Sequence, residues 1–316
     1  MVGTLVLLLV AGSAWMTQPV FYAGGRGDDG PLSDPLRLER RVRELVARFH
    51  PRDGGHPENL SRAARFIAEE LGRSGAGVSE QAFDAAGSNY RNVIASFGPQ
   101  TGDVVVVGAH YDVAGEMPGA DDNASGVAGL LELADLLAGA RLSRRVELVA
   151  FALEEAPFFA SPQMGSEVYA RSLRESGRRV RGMLCLEMIG CFTDEPESQQ
   201  LPFAVLRLFY PSRGNFIAVV GSAAGAGIVR SVKRSMREAG DLPVRSINAP
   251  AFVPGVDLSD HSTFWRRGEP AVMITDTAFY RNPRYHTESD TPDTLDYRRM
   301  AKVVAGVRQA VLDLAR

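Results

Sequence analysis

The sequence predicts an α/β fold, a mostly parallel, mixed central sheet with helices on both faces. Three observations predict it. Val104–Val107 is an unbroken valine run without polar alternation, the pattern of a strand buried on both faces. Similar short apolar runs alternate along the chain with segments of helical periodicity. The 316 residues are 45% hydrophobic, enough for one large core.

In chain order, the first 25 residues, "MVGTLVLLLVAGSAWMTQPVFYAGG", carry no charged side chain. The apolar part, Val2–Trp15, is short of the roughly 20 residues of a full span. It lacks a basic leader, and "AGSA" only loosely matches a cleavage site. Residues 1–25 are therefore expected to be an export signal or a membrane anchor, with a buried N-terminal helix as the plainer alternative. An exported or membrane-anchored, extracytoplasmic location follows from the first two readings. Residues 26–35, within "GGRGDDGPLSDP", read as a flexible linker. Residues 36–316 then form the folded domain.

"LRLERRVRELVARF" and "HPENLSRAARFIAEELGRSG" read as amphipathic helices whose charged faces are solvated by default. Strands are expected near Asn92–Phe97, Val104–Ala109, Val146–Leu153, Met183–Met188, Phe216–Val220, Val244–Ile247 and Ala271–Thr275. Helices are expected near Ser125–Leu137, Gly165–Arg174, Gly225–Glu238, Ser262–Arg267 and Tyr297–Leu314. Thr193–Gly214 is a long, proline-bearing insertion of the kind that forms a lid or a site wall.

Thirty-five basic and 38 acidic residues give a net charge of −3, which offers no electrostatic case for nucleic acid. Cys185 and Cys191 cannot make a disulfide framework; they read as free thiols, with one short bridge as the alternative in an oxidising compartment.

The chemistry is read from the residues just past each apolar strand, because ligands of open α/β sheets bind beyond the carboxyl ends of the strands. His110 and Asp112 come after the valine strand, and Asp122 and Asn123 precede the next helix. Glu154–Glu155 come after "VELVAFAL", Glu187 after "GMLCL", and His286 lies beyond "PAVMITDT". Each has a bland reading: Asp122–Asn123 as a helix cap, Glu154–Glu155 as a solvated turn, His110 as a satisfied polar residue. Glu187 is harder to dismiss, since an unpaired carboxylate in so apolar a run is costly to bury. Together, two imidazoles and three carboxylates suit zinc. Five ligands exceed one tetrahedral site and match two ions sharing a carboxylate and a water. One glutamate of the 154–155 pair is then free to act as a base, and Asp112 is spaced to fix the His110 tautomer.

"GAHYD", "GADDNASG", "EE", "LEMIG", "SDHSTFW" and "NPRYHTESDTPDTLD", in this order, resemble the zinc exopeptidases typified by bacterial leucine aminopeptidases and yeast aminopeptidase Y. The resemblance runs from about Leu36 to the C-terminus, and glutaminyl cyclases share that fold. It implies two Zn2+ ions: His110, Asp122 and Glu187 holding the first, and Asp122 as bridge with Glu155 and His286 holding the second. Asp122 is preferred to Asp121 because the family's ligand lies four residues before the glycine, here Gly126. Glu154 would be the general base and Tyr285 a further candidate, for the oxyanion. Asp260 and His261 would support the site or cap a helix. The family commonly has Asp where this chain has Glu187.

The implied activity is removal of N-terminal residues from peptides with a free N-terminus, with Phe203, Phe209 and Tyr210 of the insertion lining a side-chain pocket. Two alternatives share the fold: a one-zinc glutaminyl cyclase and a non-catalytic binding ectodomain. Retention of a ligand-competent residue at all five positions argues against the latter.

Overall fold

In the computed structural model, residues 2–20 and 32–316 are described, residues 2–9 by their backbone alone. The part of the expected linker at 26–31 lies outside the described residues. The helices are α1 (Val2–Thr17), α2 (Pro35–Phe49), α3 (Pro57–Arg73), α4 (Gly126–Leu137), α5 (Gly165–Glu175), α6 (Ala226–Glu238), α7 (His261–Arg266) and α8 (Tyr297–Leu314). The strands are β1 (Gly77–Ala85), β2 (Ser88–Phe97), β3 (Val104–His110), β4 (Arg145–Phe151), β5 (Val180–Glu187), β6 (Ile217–Ser222), β7 (Val244–Ala249) and β8 (Ala271–Thr275).

They form one eight-stranded sheet in the order β1-β2-β4-β3-β5-β8-β6-β7. The inner strands β4, β3, β5 and β8 run parallel, and the pairs β1/β2, β2/β4 and β6/β8 are antiparallel. The fold is therefore α/β with a mixed sheet. The valine run divides two ways, as a strand covered on both faces must. Val105 and Val107 face a core built with α2, α3, α4, α6 and α8, while Val104 and Val106 face a second core built with α5 and α7.

Strand β1 is absent from the sequence reading. It is an edge strand whose side chains are mostly exposed, so it lacks apolar alternation. Its hairpin turns at Ala86 and Gly87, both with positive φ, without the Asn-Gly or Asp-Gly signal of such turns.

The charged face of α2 is not simply solvated. Arg41 is buried, with Nη1 2.9 Å from Glu132 of α4 and Nη2 2.8 Å from Asp135. Arg37 grips both oxygens of Glu132 at 2.6 and 2.7 Å. Glu132 is itself fully buried, so α2 and α4 are joined through a paired, desolvated charge cluster.

Candidate metal centre

The four parallel inner strands all end on the same edge, and each delivers chemistry there. His110 closes β3 and Glu187 closes β5. Glu154 and Glu155 stand just beyond β4, and the segment after β8 leads to His286. Asp122 comes from an irregular turn, Ala120–Ser125, which leads into α4 and packs against α2 and β5.

Within this turn, Asn123 does the capping. Its Oδ1 accepts the Gly126 N–H at 3.0 Å and the Met188 N–H at 3.2 Å, tying α4 to the end of β5. Gly126 is required, because a Cβ there would sit 2.3 Å from Asn123 Oδ1 and 2.6 Å from the Leu186 carbonyl oxygen. The Asp122 carboxylate is thereby left facing the imidazoles. Its Oδ1 is 3.3 Å from His110 Nε2 and its Oδ2 is 3.0 Å from His286 Nε2. Glu187 Oε2 lies 3.4 Å from His110 Nε2, and Glu155 Oε1 lies 3.3 Å from His286 Nε2.

Two ligand triads result: His110, Asp122 and Glu187, and Asp122, Glu155 and His286. The separations of 3.0–3.4 Å are close to the roughly 3.4 Å between two donors bound at about 2.1 Å to one tetrahedral zinc. His110 Nε2 and Glu155 Oε1 are buried without a hydrogen-bond partner among the described residues. A nitrogen and a carboxylate oxygen orphaned among acids fit a cation better than they fit each other.

The electrostatics agree. Burial pushes the Asp122 carboxyl up, but hydrogen bonds to His110 and His286 outweigh it and hold it below the usual carboxylate range. Burial and then the Asp122 charge push Glu155 up to about 7. Burial lifts Glu154 well above its usual range, against the pull of His110 and with the added charges of Glu155 and Glu187. So many crowded acids call for positive charge.

Asp112 lies differently from the sequence expectation. The His110 Nδ1 contact at 3.2 Å is to the Asp112 backbone carbonyl, with the carboxylate farther, at 3.6 Å. The two carboxylate oxygens instead accept the N–H groups of Glu154 and Glu155, at 3.1 and 3.0 Å. Asp112 thus fixes the backbone of the glutamate pair as well as standing beside His110.

Other supporting residues have no role assigned from the sequence, although Ser259 and Asp290 stand within the quoted motifs. Asp290 accepts the backbone N–H groups of Asp121 and Asp122, at 3.0 and 3.1 Å. Ser259 Oγ donates to Glu187 Oε2 at 2.6 Å. Arg52, fully buried, donates to the carbonyls of Tyr111 and Gly119 at 2.9 and 2.7 Å, bracing both segments that carry His110 and Asp122. Leu153, Met188 and His286 hold positive φ values of 61°, 50° and 54°, so three chain segments at the site are strained. Asp260 and His261 are buried at the start of α7, and His261 Nε2 contacts the Val256 carbonyl at 2.8 Å rather than facing the triads. Asp260 makes no side-chain capping bond.

Tyr285 stacks on the His286 ring, with centroids 3.8 Å apart. It also lines an apolar pocket beside Glu187, together with Tyr210, Phe216, Val253, Met273 and Phe279. Of the three aromatic residues expected to line a pocket from Thr193–Gly214, only Tyr210 does, its hydroxyl bonded to the Ser246 carbonyl at 2.7 Å. Phe203 and Phe209 point outward, being 46% and 43% exposed. The insertion is closed at its base by the Thr193 N–H on the Gly214 carbonyl at 2.9 Å. Cys185 and Cys191 are both free and buried.

Among known proteins, YfbL, an uncharacterized protein of Escherichia coli strain K12, is 48% identical over 283 residues, covering 87% of each chain. A probable leucine aminopeptidase 1 of Trichophyton verrucosum is 26% identical over 232 residues, 68% of this chain and 56% of that relative. This chain thus spans just over half the length of that fungal protein. BSAP, a zinc aminopeptidase from Bacillus subtilis, shares the fold, with a TM-score of 0.70 at 15% identity over 89% of this chain and 95% of that one. Residues 92–311, which include every residue of both triads, match the family model of peptidase family M28. The chain therefore belongs to peptidase family M28, the zinc exopeptidases that its motifs resemble.

Proposed function

We propose that this chain is a two-zinc aminopeptidase, with residues 36–316 as its catalytic unit. The observation that carries the reading is the placement of Asp122, each of whose carboxylate oxygens faces a different imidazole. In this reading His110, Asp122 and Glu187 hold one ion, and Asp122, Glu155 and His286 hold the other. Such a pair, when bound, polarises a scissile carbonyl and acidifies water at neutral pH.

Glu154 is the residue left over. It takes the proton of the attacking water and passes it to the departing amine nitrogen. Asp112 keeps Glu154 and Glu155 in fixed register, so that one carboxylate serves as ligand and the other as base. Tyr285, whose hydroxyl burial keeps protonated, is assigned as a hydrogen-bond donor to the oxyanion. A free α-amine is favoured near the crowded carboxylates, which accounts for cleavage at the N-terminus. The apolar pocket beside Glu187 takes the side chain of the first residue. Location outside the cytoplasm, by export or anchoring, belongs to the same proposal.

The test is zinc content by plasma emission, measured alongside hydrolysis of a panel of aminoacyl-nitroanilides. Two zincs per chain, with activity abolished by chelation, support the reading. Glu154→Gln is expected to lower kcat by about 100-fold or more while leaving zinc content unchanged. One zinc, no hydrolysis and ring closure of an N-terminal glutamine would move the chain to the cyclases. No metal and no turnover would leave a binding ectodomain.

A further inference from the structure

The N-terminal helix is fastened to the rest of the chain through its C-terminal turn, against β7. The backbone carbonyls at its C-terminus, which no helix can satisfy internally, are taken up by side chains of α6 and β7. Lys233 Nζ donates to the Thr17 and Gln18 carbonyls at 2.6 and 3.1 Å, and Ser246 Oγ donates to the Thr17 carbonyl at 2.7 Å. Asn248 donates to the Trp15 carbonyl at 2.8 Å, and Arg237 to the Val20 carbonyl at 2.7 Å. Lys233 is buried, so a cation of the domain is committed to the negative end of this helix. At residues 10–12 the helix is exposed, Val10 by 59%. Its sequence, Val2–Thr17, has no charged residue.

Beside this junction the Thr193–Gly214 insertion presents apolar side chains outward. Leu208 is 79% and Val205 60% exposed, and Phe203 and Phe209 are partly exposed as well. Leu208 and Phe209 share one groove with Thr17, Pro19 and Val20 of the helix junction. The other side chains lining that groove include Lys233, Arg237 and Arg245, and none among the described residues is acidic. Arg230 and Arg237 lie on the same stripe of α6 as Lys233, at helical spacing. Arg230 reaches Gln18 Oε1 at 2.9 Å. An uncharged helix, an outward apolar loop and a basic rim therefore meet at one place.

We propose that α1 is retained in the working protein and that α1 and the Val205–Phe209 edge together bind an anionic bilayer surface. At 1.5 Å per residue α1 reaches about 24 Å, short of the roughly 30 Å hydrocarbon core, so it does not complete a span by itself. The loop side chains supply a second insertion point, and the arginines meet lipid phosphates. Trp15, 40% exposed at the junction, lies where an aromatic residue anchors at the headgroups. This inference does not rest on the zinc chemistry.

The experiment uses the full chain with vesicles of phosphatidylcholine alone or mixed equally with phosphatidylglycerol. An intact-mass measurement first establishes whether the N-terminal segment is present; a mass lacking Val2–Ala14 overturns the proposal. Co-flotation should favour the mixed vesicles, and Leu208→Asp with Val205→Asp should weaken it about tenfold or more. Neither residue lines the apolar pocket, so hydrolysis of a soluble aminoacyl-nitroanilide should be unchanged. A polarity-sensitive label on Leu208→Cys should shift to the blue only when vesicles are added. A label that stays in water while the chain floats would mean that α1 binds alone. A label already buried without lipid, with a sedimentation coefficient that falls in the double variant, would mean that the edge joins two copies of the chain. Either result overturns the shared surface.

Discussion

Asp290 shows how the chain positions a ligand without touching the ligand atoms. Its carboxylate takes the N–H groups of Asp121 and Asp122, so the Asp122 side chain can stay turned toward both imidazoles. Asp290→Ala should lower zinc affinity about 10- to 100-fold, measured by competition with a chromophoric chelator, while circular dichroism stays native. The ligand-competent residues themselves were legible in the sequence, because polar groups directly after buried strands have few structural reasons to be there. Asn123 was legible as a helix cap; Asp290 and Ser259, which lie within the quoted motifs, were not legible in their roles. They act by pairing with backbone or side-chain atoms that are distant in sequence, and such pairings leave no local pattern. Asp112 was legible as a supporting residue, but its principal partners, the Glu154 and Glu155 amides, depend on how β3 and β4 end side by side.

Helix α2 was legible as a helix but not in what its arginines do. Periodicity assigns charged residues to a face and does not say whether a partner helix bears buried carboxylates. With Glu132 fully buried between Arg37 and Arg41, Arg41→Ala leaves that charge half-paired. A loss of about 3–5 kcal/mol is expected, read from the urea midpoint. The same change should leave zinc stoichiometry at saturating metal unaltered, since none of these groups faces the triads. Arg52→Met is a sharper case at the site itself, since it strands carbonyls flanking His110 and Asp122. It should cost about 2–3 kcal/mol and loosen zinc binding in the same titration. The Thr193–Gly214 insertion belongs at this level too. Replacing it with a short link should change which aminoacyl-nitroanilide is preferred, because Tyr210 forms part of the pocket wall, while metal content holds; an unchanged preference would refute the pocket assignment.

The molecule as a whole was the most legible part. Buried valines and alternating elements give an α/β sheet on physical grounds, and the parallel inner strands gather their ends on one edge. The edge hairpin was missed because an exposed strand needs no apolar rhythm. Ions bound only by the folded chain stabilise it by mass action, about 2.7 kcal/mol for each site held at a hundredfold excess over its Kd. Chelation should therefore lower the thermal midpoint of the native protein, and should not move that of Asp122→Asn.

That last variant differs in kind from the others. Five side chains fill six coordination places in the proposed centre because one of them is counted twice. A mutation at Glu187, or at Glu155 or His286, subtracts from a single site; a mutation at Asp122 subtracts from both. Either ion can therefore be given up through the residues private to its own triad, whereas loss of Asp122 weakens the hold on both.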